Sequence, residues 1–193
     1  MSKSSKLLID IGNTQIKFGI WNDGKLSRCS KCAFANFRIL IRKYTSIIFD
    51  QILYTNVVSK KVENRIINYL KKIFFIKPRR IRSCSSLLGV KNGYKSPSKL
   101  GDDRWCSIVG GYHLFKRPLI IIDCGTAISI DCVDDKARHN GGYILSGFDG
   151  YRNSFHQAHN LKNMKGYKIK KSSKISLARE TSHAIINGYI MMV

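Results

Sequence analysis

The chain contains one phrase twice, first as Leu7-Leu8-Ile9-Asp10-Ile11-Gly12-Asn13-Thr14 and later as Ile120-Ile121-Ile122-Asp123-Cys124-Gly125-Thr126. Each copy is a short apolar run that leads into Asp, one further residue, Gly and a Thr, and each continues with a second apolar run. Two apolar runs joined by a glycine turn are typical of a buried β-hairpin. The repeat therefore predicts two hairpins of one design and favours two related lobes.

Both turns have the chemistry of a phosphate-binding site. Glycine lets backbone N–H groups approach an anion closely, and the threonine hydroxyl adds a donor. An aspartate at the end of the strand can hold a hydrated Mg²⁺ beside the same phosphates. A nucleoside triphosphate would then be bound by two sets of residues: Asp10, Gly12, Asn13 and Thr14, and Asp123, Gly125 and Thr126. Phosphoryl transfer is the leading hypothesis, and a turn-forming role is the alternative for each aspartate taken alone.

The composition sets limits on the core and on the partners. With 193 residues, 44% of them hydrophobic, the chain can bury a substantial core. Its 34 Lys and Arg against 12 Asp and Glu give a formal net charge of +22, which attracts polyanions. The basic residues are scattered, with local clusters such as residues 77–82, whereas a nucleic-acid-binding arm is usually one concentrated block. The pattern favours a solvated basic surface over a nucleic-acid partner.

Cysteines and apolar runs indicate the compartment. The pair Cys29 and Cys32 has no second pair and no nearby histidine, which argues against structural zinc. No apolar run approaches the roughly 20 residues that a membrane-spanning helix needs, and no signal peptide precedes the first strand. We therefore expect a cytoplasmic protein that makes no membrane contact.

The pattern along the first part of the chain predicts a ribonuclease-H-like lobe over residues 1–84. A hairpin over residues 7–21 is followed by a third strand from about Leu26, a helix over 34–44, a strand over 47–58 and a helix over 60–75. We assign residues 85–193 to a second lobe with a loop-rich start, a helix over 105–115 and the second hairpin. Turns at 134–136 and 139–142, a strand at 143–145 and helices at 154–160 and 181–192 complete it. The predicted fold class is α/β.

The segment Gly101-Asp102-Asp103-Arg104 precedes a predicted helix. Helix capping explains an acid in the first turn, and Asp102 fits that role. Asp103 with Arg104 is chemically more useful, since a carboxylate can accept a hydroxyl proton while the guanidinium binds an anionic substrate bidentately. Spacing alone leaves both roles open. Lys17, on the strand after the first turn, is placed to reach phosphates, with an ordinary surface role as the alternative.

Taken together, these motifs resemble the type III pantothenate kinase family, known also through the Bvg accessory factor. The matching positions run in the family's order over about residues 7 to 190: Asp10-x-Gly12-Asn13-Thr14 with Lys17, Tyr94-x-x-Pro97-x-x-Leu100-Gly101-x-Asp103-Arg104, Asp123-x-Gly125-Thr126-Ala127, Gly141-Gly142-Tyr143-Ile144-x-x-Gly147, and Thr181 with Gly188. The resemblance implies an actin-like fold of the acetate and sugar kinase superfamily, with duplicated ribonuclease-H-like lobes. It implies ATP-dependent phosphorylation of pantothenate, the first step of coenzyme A synthesis.

The resemblance also implies roles for individual residues. Asp103 would be the base that activates the pantothenate hydroxyl, and Arg104 and Gly101, beside Asp102, would hold the carboxylate and amide end of that substrate. Tyr94 would line the pocket, and Thr181 would reach it from the second protomer of a homodimer. Asp10 and Asp123 would position Mg²⁺, and a monovalent cation, K⁺ or NH₄⁺, would lie near the second turn.

Two departures from the family pattern accompany the resemblance. Ser146 stands where the family usually has proline. Family members also continue for several dozen residues with a Gly-rich segment that supports the adenosine, so the second lobe is expected to be C-terminally incomplete. Two alternatives stay open: a non-catalytic accessory protein that binds nucleic acid or protein through its basic surface, and a related kinase with another small hydroxylated acceptor.

Overall fold

The computed structural model describes residues 5–155 and 177–193. Its packing divides the chain into two compact units, Met1–Ile121 with Asp131–Gly142, and Ile122–Ile130 with Tyr143–Val193. The first unit extends beyond residue 84, where the sequence suggested a boundary. The division into lobes 1–84 and 85–193 therefore stays a prediction.

The first unit contains a five-stranded mixed sheet. Its strands are β1 (Ser5–Ile11), β2 (Ile16–Asn22), β3 (Lys25–Cys32), β4 (Gln51–Asn56) and β5 (Arg79–Arg80), in the order β3-β2-β1-β4-β5. The β1–β2 and β2–β3 pairs are antiparallel, and the β1–β4 and β4–β5 pairs are parallel. The predicted first hairpin and the third strand are confirmed, and the sheet has the strand order of a ribonuclease-H-like lobe.

Two helical segments cover this sheet. Helix α2 (Lys60–Phe74) buries Ile66, Ile67 and Leu70, one apolar face of an otherwise basic helix. The predicted helix over 34–44 is wrong as a single element, since only α1 (Phe37–Ile41) is α-helical, between 3₁₀ turns at 34–36 and 42–44. At its end the N–H and hydroxyl of Thr45 both donate to the carbonyl of Arg42, at 3.1 and 2.8 Å, which tightens the last turn.

Helix α3 (Asp102–Phe115) begins three residues before the predicted start and follows a small hairpin of β6 (Ser86–Leu87) and β7 (Val90–Lys91). It belongs to a second core cluster within the first unit. That cluster consists of Val90, Leu100, Trp105, Ile108, Val109, Val133 and Ala137.

A three-stranded sheet has the order β10-β9-β8, with β8 (Leu119–Cys124), β9 (Ala127–Val133) and β10 (His139–Ser146). The predicted second hairpin segments are therefore strands, but the predicted turn at 139–142 is wrong. Those residues begin β10, where Gly141 adopts a φ of 96° that a glycine tolerates.

Two helices lie in the second unit, α4 (Phe148–Ser154) and α5 (Thr181–Met192). Helix α5 matches the prediction over 181–192. The helix predicted from residue 154 is not observed at its start, where α4 ends, and residues 156–160 lie outside the described residues. Over residues 5–155 and 177–193, no helix has the length and apolar character needed to cross a bilayer.

Candidate active site

The first turn joins β1 to β2 and is exposed at Asn13 and Thr14. The N–H of Gly12 donates to the carbonyl of Gln15 at 3.1 Å and closes the turn. A Cβ at Gly12 would lie only 3.1 Å from that carbonyl oxygen, so glycine permits the tight closure. The turn thus presents polar backbone and side chains to solvent at the end of a buried strand.

Asp10 lies at the end of β1 between two partners on neighbouring strands. Its Oδ1 accepts a hydrogen bond from the Thr55 hydroxyl of β4 at 2.8 Å, and its Oδ2 lies 3.6 Å from the Nζ of Lys17 on β2. The Lys17 side chain is 58% exposed, so the pair contributes little to stability. The structure therefore brings together Asp10 and Lys17, as the phosphate hypothesis requires, with the lysine accessible to a ligand.

The start of α3 lies close to the end of β1. The N–H of Val57, just after β4, donates to the carbonyl of Ile11 at 3.2 Å, and a Cβ at Gly101 would lie 3.7 Å from the Cγ1 of Val57. The same Cβ would lie 2.6 Å from the Oδ1 of Asp103, so the glycine leaves room for that carboxylate. Gly101 thus has a local reason to be glycine.

The two acids of the motif have different surroundings. Asp102 is buried, and its oxygens accept from the Nε of Arg80 at 2.7 Å and from the N–H of Ser83 at 3.0 Å. Asp103 is only half-buried, and its Oδ1 accepts from the N–H of Arg104 at 2.7 Å. Asp102 therefore fixes the helix start inside the protein, while Asp103, the predicted base, is more accessible.

The thiol of Cys106, on α3, is affected by the charges of carboxylates on both β1 and α3. Its pKa is raised to about 11, mostly by burial and then by the negative charges of Asp102, Asp103 and Asp10, in that order. Carboxylates from β1 and from α3 thus act on one side chain. Asp10 and Asp103 lie in the same region of the first unit, although 93 residues separate them in the chain.

Arg104 is held in a network that the sequence did not predict. Its Nε and Nη2 donate to Oδ2 and Oδ1 of Asp131, at 2.9 and 2.6 Å, and its Nη1 donates to the hydroxyl of Tyr94 at 2.9 Å. His139 lies with its Nε2 2.9 Å from Asp131 Oδ1, and its ring stacks on Tyr94 with the centroids 5.9 Å apart. The side chains of Asp131 and His139 are 2% and 0% exposed. Tyr94 and Arg104 are thus held together by two residues of β9 and β10.

The network shifts the pKa values of its charged members. Burial by itself would raise the pKa of Asp131, but hydrogen bonds from His139 and Arg104 outweigh it and lower that pKa. The hydrogen bond to Asp131 raises the pKa of Arg104 against the opposing effect of burial. Both groups therefore stay ionised as a pair.

The second turn lies in the second unit. Asp123, at the end of β8, is exposed, and the N–H of Gly125 donates to the carbonyl of Ala127 at 3.0 Å. The N–H of Gly147, which precedes α4, donates to the carbonyl of Thr126 at 3.1 Å, and a Cβ at Gly147 would overlap the carbonyl oxygens of this turn. Thr181 is exposed in the first turn of α5. The second turn is therefore supported from within its own unit.

The predicted site residues fall into two groups. The first unit contains Asp10, Gly12, Asn13, Thr14, Lys17, Tyr94, Gly101, Asp102, Asp103 and Arg104, and the second contains Asp123, Gly125, Thr126 and Thr181. Asp131, His139 and Arg80 were missed. Asp131 could have been identified from the sequence, since it interrupts an apolar strand. A carboxylate buried at such a position requires a partner.

Comparison with known proteins points to one family. The family model of the type III pantothenate kinases matches residues 6–193. A type III pantothenate kinase of Alcanivorax borkumensis is 29% identical over 192 residues, which are 96% of this chain and 75% of that protein. One from Pseudomonas syringae pv. syringae is 33% identical over 150 residues, which are 76% of this chain and 60% of that protein.

A solved structure matches the fold. A protein of Campylobacter jejuni, described as a Baf family transcriptional activator, superposes with a TM-score of 0.56 at 19% identity, over 96% of this chain and 77% of that one. At this identity the match speaks for the fold alone. With the family match, the predicted class, an α/β actin-like fold, is confirmed.

Proposed function

The chain belongs to the type III pantothenate kinase family, and we propose that it uses Asp103 to activate the hydroxyl of pantothenate for phosphoryl transfer from ATP. Its relatives support ATP-dependent phosphorylation of pantothenate as the function. The observation that carries the residue assignment is geometric: Gly101, at the start of α3, packs against Val57, whose N–H donates to the carbonyl of Ile11 at the end of β1. A phosphate-binding turn and an accessible carboxylate in one region are what a kinase of a small alcohol needs.

Asp103 is the proposed base. It lies in the first turn of α3, where the helix dipole favours a carboxylate, and it is accessible where Asp102 is not. An ionised carboxylate within hydrogen-bond distance of the hydroxyl accepts its proton as the oxygen attacks phosphorus. The neighbouring Arg104 and Tyr94 would bind the carboxylate end of pantothenate and so orient its hydroxyl.

The turns are the proposed phosphate sites. Gly12, Asn13 and Thr14, with Lys17, would donate hydrogen bonds to phosphate oxygens in the first turn. Gly125 and Thr126 would do so in the second. Catalysis of this kind consists mainly of positioning and charge stabilisation, which backbone N–H groups and a lysine ammonium supply.

The metal requirement fits the oxygen donors present. Mg²⁺ in kinases usually keeps several waters and binds one or two carboxylates together with substrate phosphates. Asp10 and Asp123 are each one carboxylate at a strand end, and no cluster of three metal-ligating side chains exists within 5–155 and 177–193. Each carboxylate by itself suits an ion shared with ATP, which would neutralise charge on the transferred phosphate. K⁺ or NH₄⁺ near the second turn, a homodimer completed by Thr181 and a cytoplasmic location remain predictions.

A coupled assay of ADP release tests the proposal. With ATP, Mg²⁺ and K⁺, we expect ADP to form only when pantothenate is added. Asp103→Asn should lower kcat by about 10²- to 10⁴-fold, the usual contribution of a general base, with pantothenate binding by calorimetry retained. Asp135→Asn, an exposed acid in the β9–β10 turn, is the matched control and should keep the wild-type rate.

Two results would contradict the proposal. A wild-type-like kcat in Asp103→Asn would remove the base assignment. A folded chain without pantothenate-dependent turnover, which instead binds polyanions with a steep dependence on salt, would favour the accessory alternative.

A further inference from the structure

We propose that Asp131 and His139 are positioning residues, which fix Arg104 and Tyr94 in the orientation that binds the carboxylate end of the acceptor substrate. This inference rests on the proposed function, because it concerns the site assigned to pantothenate. It adds two residues from β9 and β10 that make no proposed contact with either substrate. Both act through Arg104 and Tyr94.

The hydrogen bonds of Arg104 carry the first step of the argument. Asp131 accepts from Nε and from Nη2, and Tyr94 accepts from Nη1. Among the hydrogen bonds of the described residues, these use three of the five N–H groups of the guanidinium. One N–H is left on each terminal nitrogen, so both terminal nitrogens can still donate to a substrate carboxylate.

Asp131 can fill this role because all its partners are donors. Its Oδ2 accepts from Arg104, and its Oδ1 accepts from Arg104 and from His139. Since a carboxylate only accepts, the proton of the His139 ring in this contact belongs on Nε2. The two oxygens are thus committed to fixing one guanidinium and one imidazole, in a nearly water-free setting where a hydrogen bond is strong.

His139 supports the second half of the pocket. Its ring stacks on Tyr94 at an interplanar angle of 18°. The backbone adds to this support, because a Cβ at Gly93 would overlap the carbonyl oxygen of His139, and Lys91 donates its N–H to Ala137 at 2.8 Å. The loop that carries Tyr94 is therefore packed directly on the start of β10.

Asp131→Asn is the decisive variant, because it keeps the size of the side chain and removes one acceptor. Whichever way the amide is oriented, its NH₂ group faces an N–H of Arg104 or His139, so the bidentate contact is lost. We expect the KM for pantothenate to rise about tenfold or more, the equivalent of one charge-assisted hydrogen bond, and the KM for ATP to change less than twofold. Asp135→Asn, which neutralises an exposed acid in the same hairpin, should leave both KM values unchanged.

A double-mutant cycle separates positioning from general destabilisation. If Asp131 acts through Arg104, Asp131→Asn should raise the KM for pantothenate less than twofold in an Arg104→Lys background. His139→Gln keeps a donor for Asp131 and loses the ring that stacks on Tyr94, so it should raise the same KM by a smaller factor. That variant carries the test if Asp131→Asn does not fold. Equal rises in both KM values, or full additivity with Arg104→Lys, would overturn the proposal.

An NMR measurement distinguishes failure of this inference from failure of the proposed function. The Nε–H of Arg104, assigned by its loss in Arg104→Lys, should exchange slowly with water in the wild type and rapidly in Asp131→Asn. Slow exchange in both would overturn the positioning role, whether or not the chain is active. Absence of pantothenate-dependent ADP release with the expected exchange difference would overturn the assignment of the substrate alone.

Discussion

Arg80 is expected to contribute more to stability than any other single basic residue in its cluster. Its Nε donates to Asp102, its Nη1 donates to both oxygens of Glu63 at 3.2 and 3.3 Å, and its Nη2 donates to the carbonyl of Asn56 at 3.0 Å. Replacement by leucine leaves two buried carboxylates without their counter-ion. Removing one partner of a buried ion pair typically costs about 3–5 kcal/mol.

The loss of unfolding free energy expected for Arg80→Leu lies at the lower end of that range. Glu63 keeps a hydrogen bond from the Tyr54 hydroxyl at 3.0 Å, and Asp102 keeps the one from the Ser83 N–H. The Arg80 side chain is 22% exposed, so water reaches part of the site. We therefore expect Arg80→Leu to lose about 3 kcal/mol of unfolding free energy, which corresponds to a fall of about 1.5 M in the urea midpoint at a slope of about 2 kcal/mol per M.

Tryptophan fluorescence during urea unfolding measures this loss, because both tryptophans, Trp21 and Trp105, lie in the first unit. Arg79→Leu is the matched control: it removes the same charge from an exposed position of β5, and surface substitutions usually change stability by less than about 0.5 kcal/mol. If the two variants unfold at the same urea concentration, the buried pairs do not stabilise the fold. Adding Asp102→Asn to Arg80→Leu should restore part of the loss, since it removes one uncompensated charge.

Four further outcomes are expected. Gly110→Ala, in an exposed position of α3 with no atom near a new Cβ, should raise the unfolding free energy by about 0.5–1 kcal/mol in the same assay, and a loss would contradict the open environment. Gly147→Ala should displace the second turn and raise the KM for ATP, with an unchanged KM counting against that turn as a phosphate site. At pH 8 a thiol with a pKa of about 11 is only about 0.1% thiolate, so Cys106 should react with a disulfide reagent far more slowly than the exposed Cys29, as peptide mapping would reveal. The folded-state pKa of Asp131 lies below its unfolded value, so its stabilisation is present above about pH 4 and is lost as pH falls through the folded-state pKa; Asp131→Asn should flatten the acid side of the curve of stability against pH.

Local patterns accounted for most of the fold. The apolar runs of β1 and β2 lie on either side of a glycine turn, and both the period of the strands and the turn chemistry are set by neighbouring residues. The turn predicted at 139–142 is wrong because that prediction also used neighbouring residues alone. Its glycines are a local turn signal, but pairing with β9 and the buried His139 override that signal.

The site was predicted only as far as the motifs extend. Gly101, Asp103 and Arg104 are contiguous, so their common location needed no tertiary information. Asp131 lies 27 residues beyond Arg104, and no spacing rule links a helix start to a strand that far along the chain. Only a physical requirement, that a buried carboxylate needs donors, could have led from Asp131 to Arg104.

The net charge of +22 does not show that some of the acids are buried and paired with arginines. Glu63, Asp102 and Asp131 are buried, and each accepts hydrogen bonds from an arginine, Arg80 or Arg104. In the sequence Arg80 belongs to a basic cluster that was expected to be solvated. In the structure its guanidinium instead donates hydrogen bonds to residues of α2, β4 and α3. In a chain with 12 acids and 34 bases, the few buried acids determine which arginines have fixed positions. Neutralising one of these acids should therefore disturb the protein more than neutralising an exposed lysine, although the lysine change reduces the net charge and the acid change increases it.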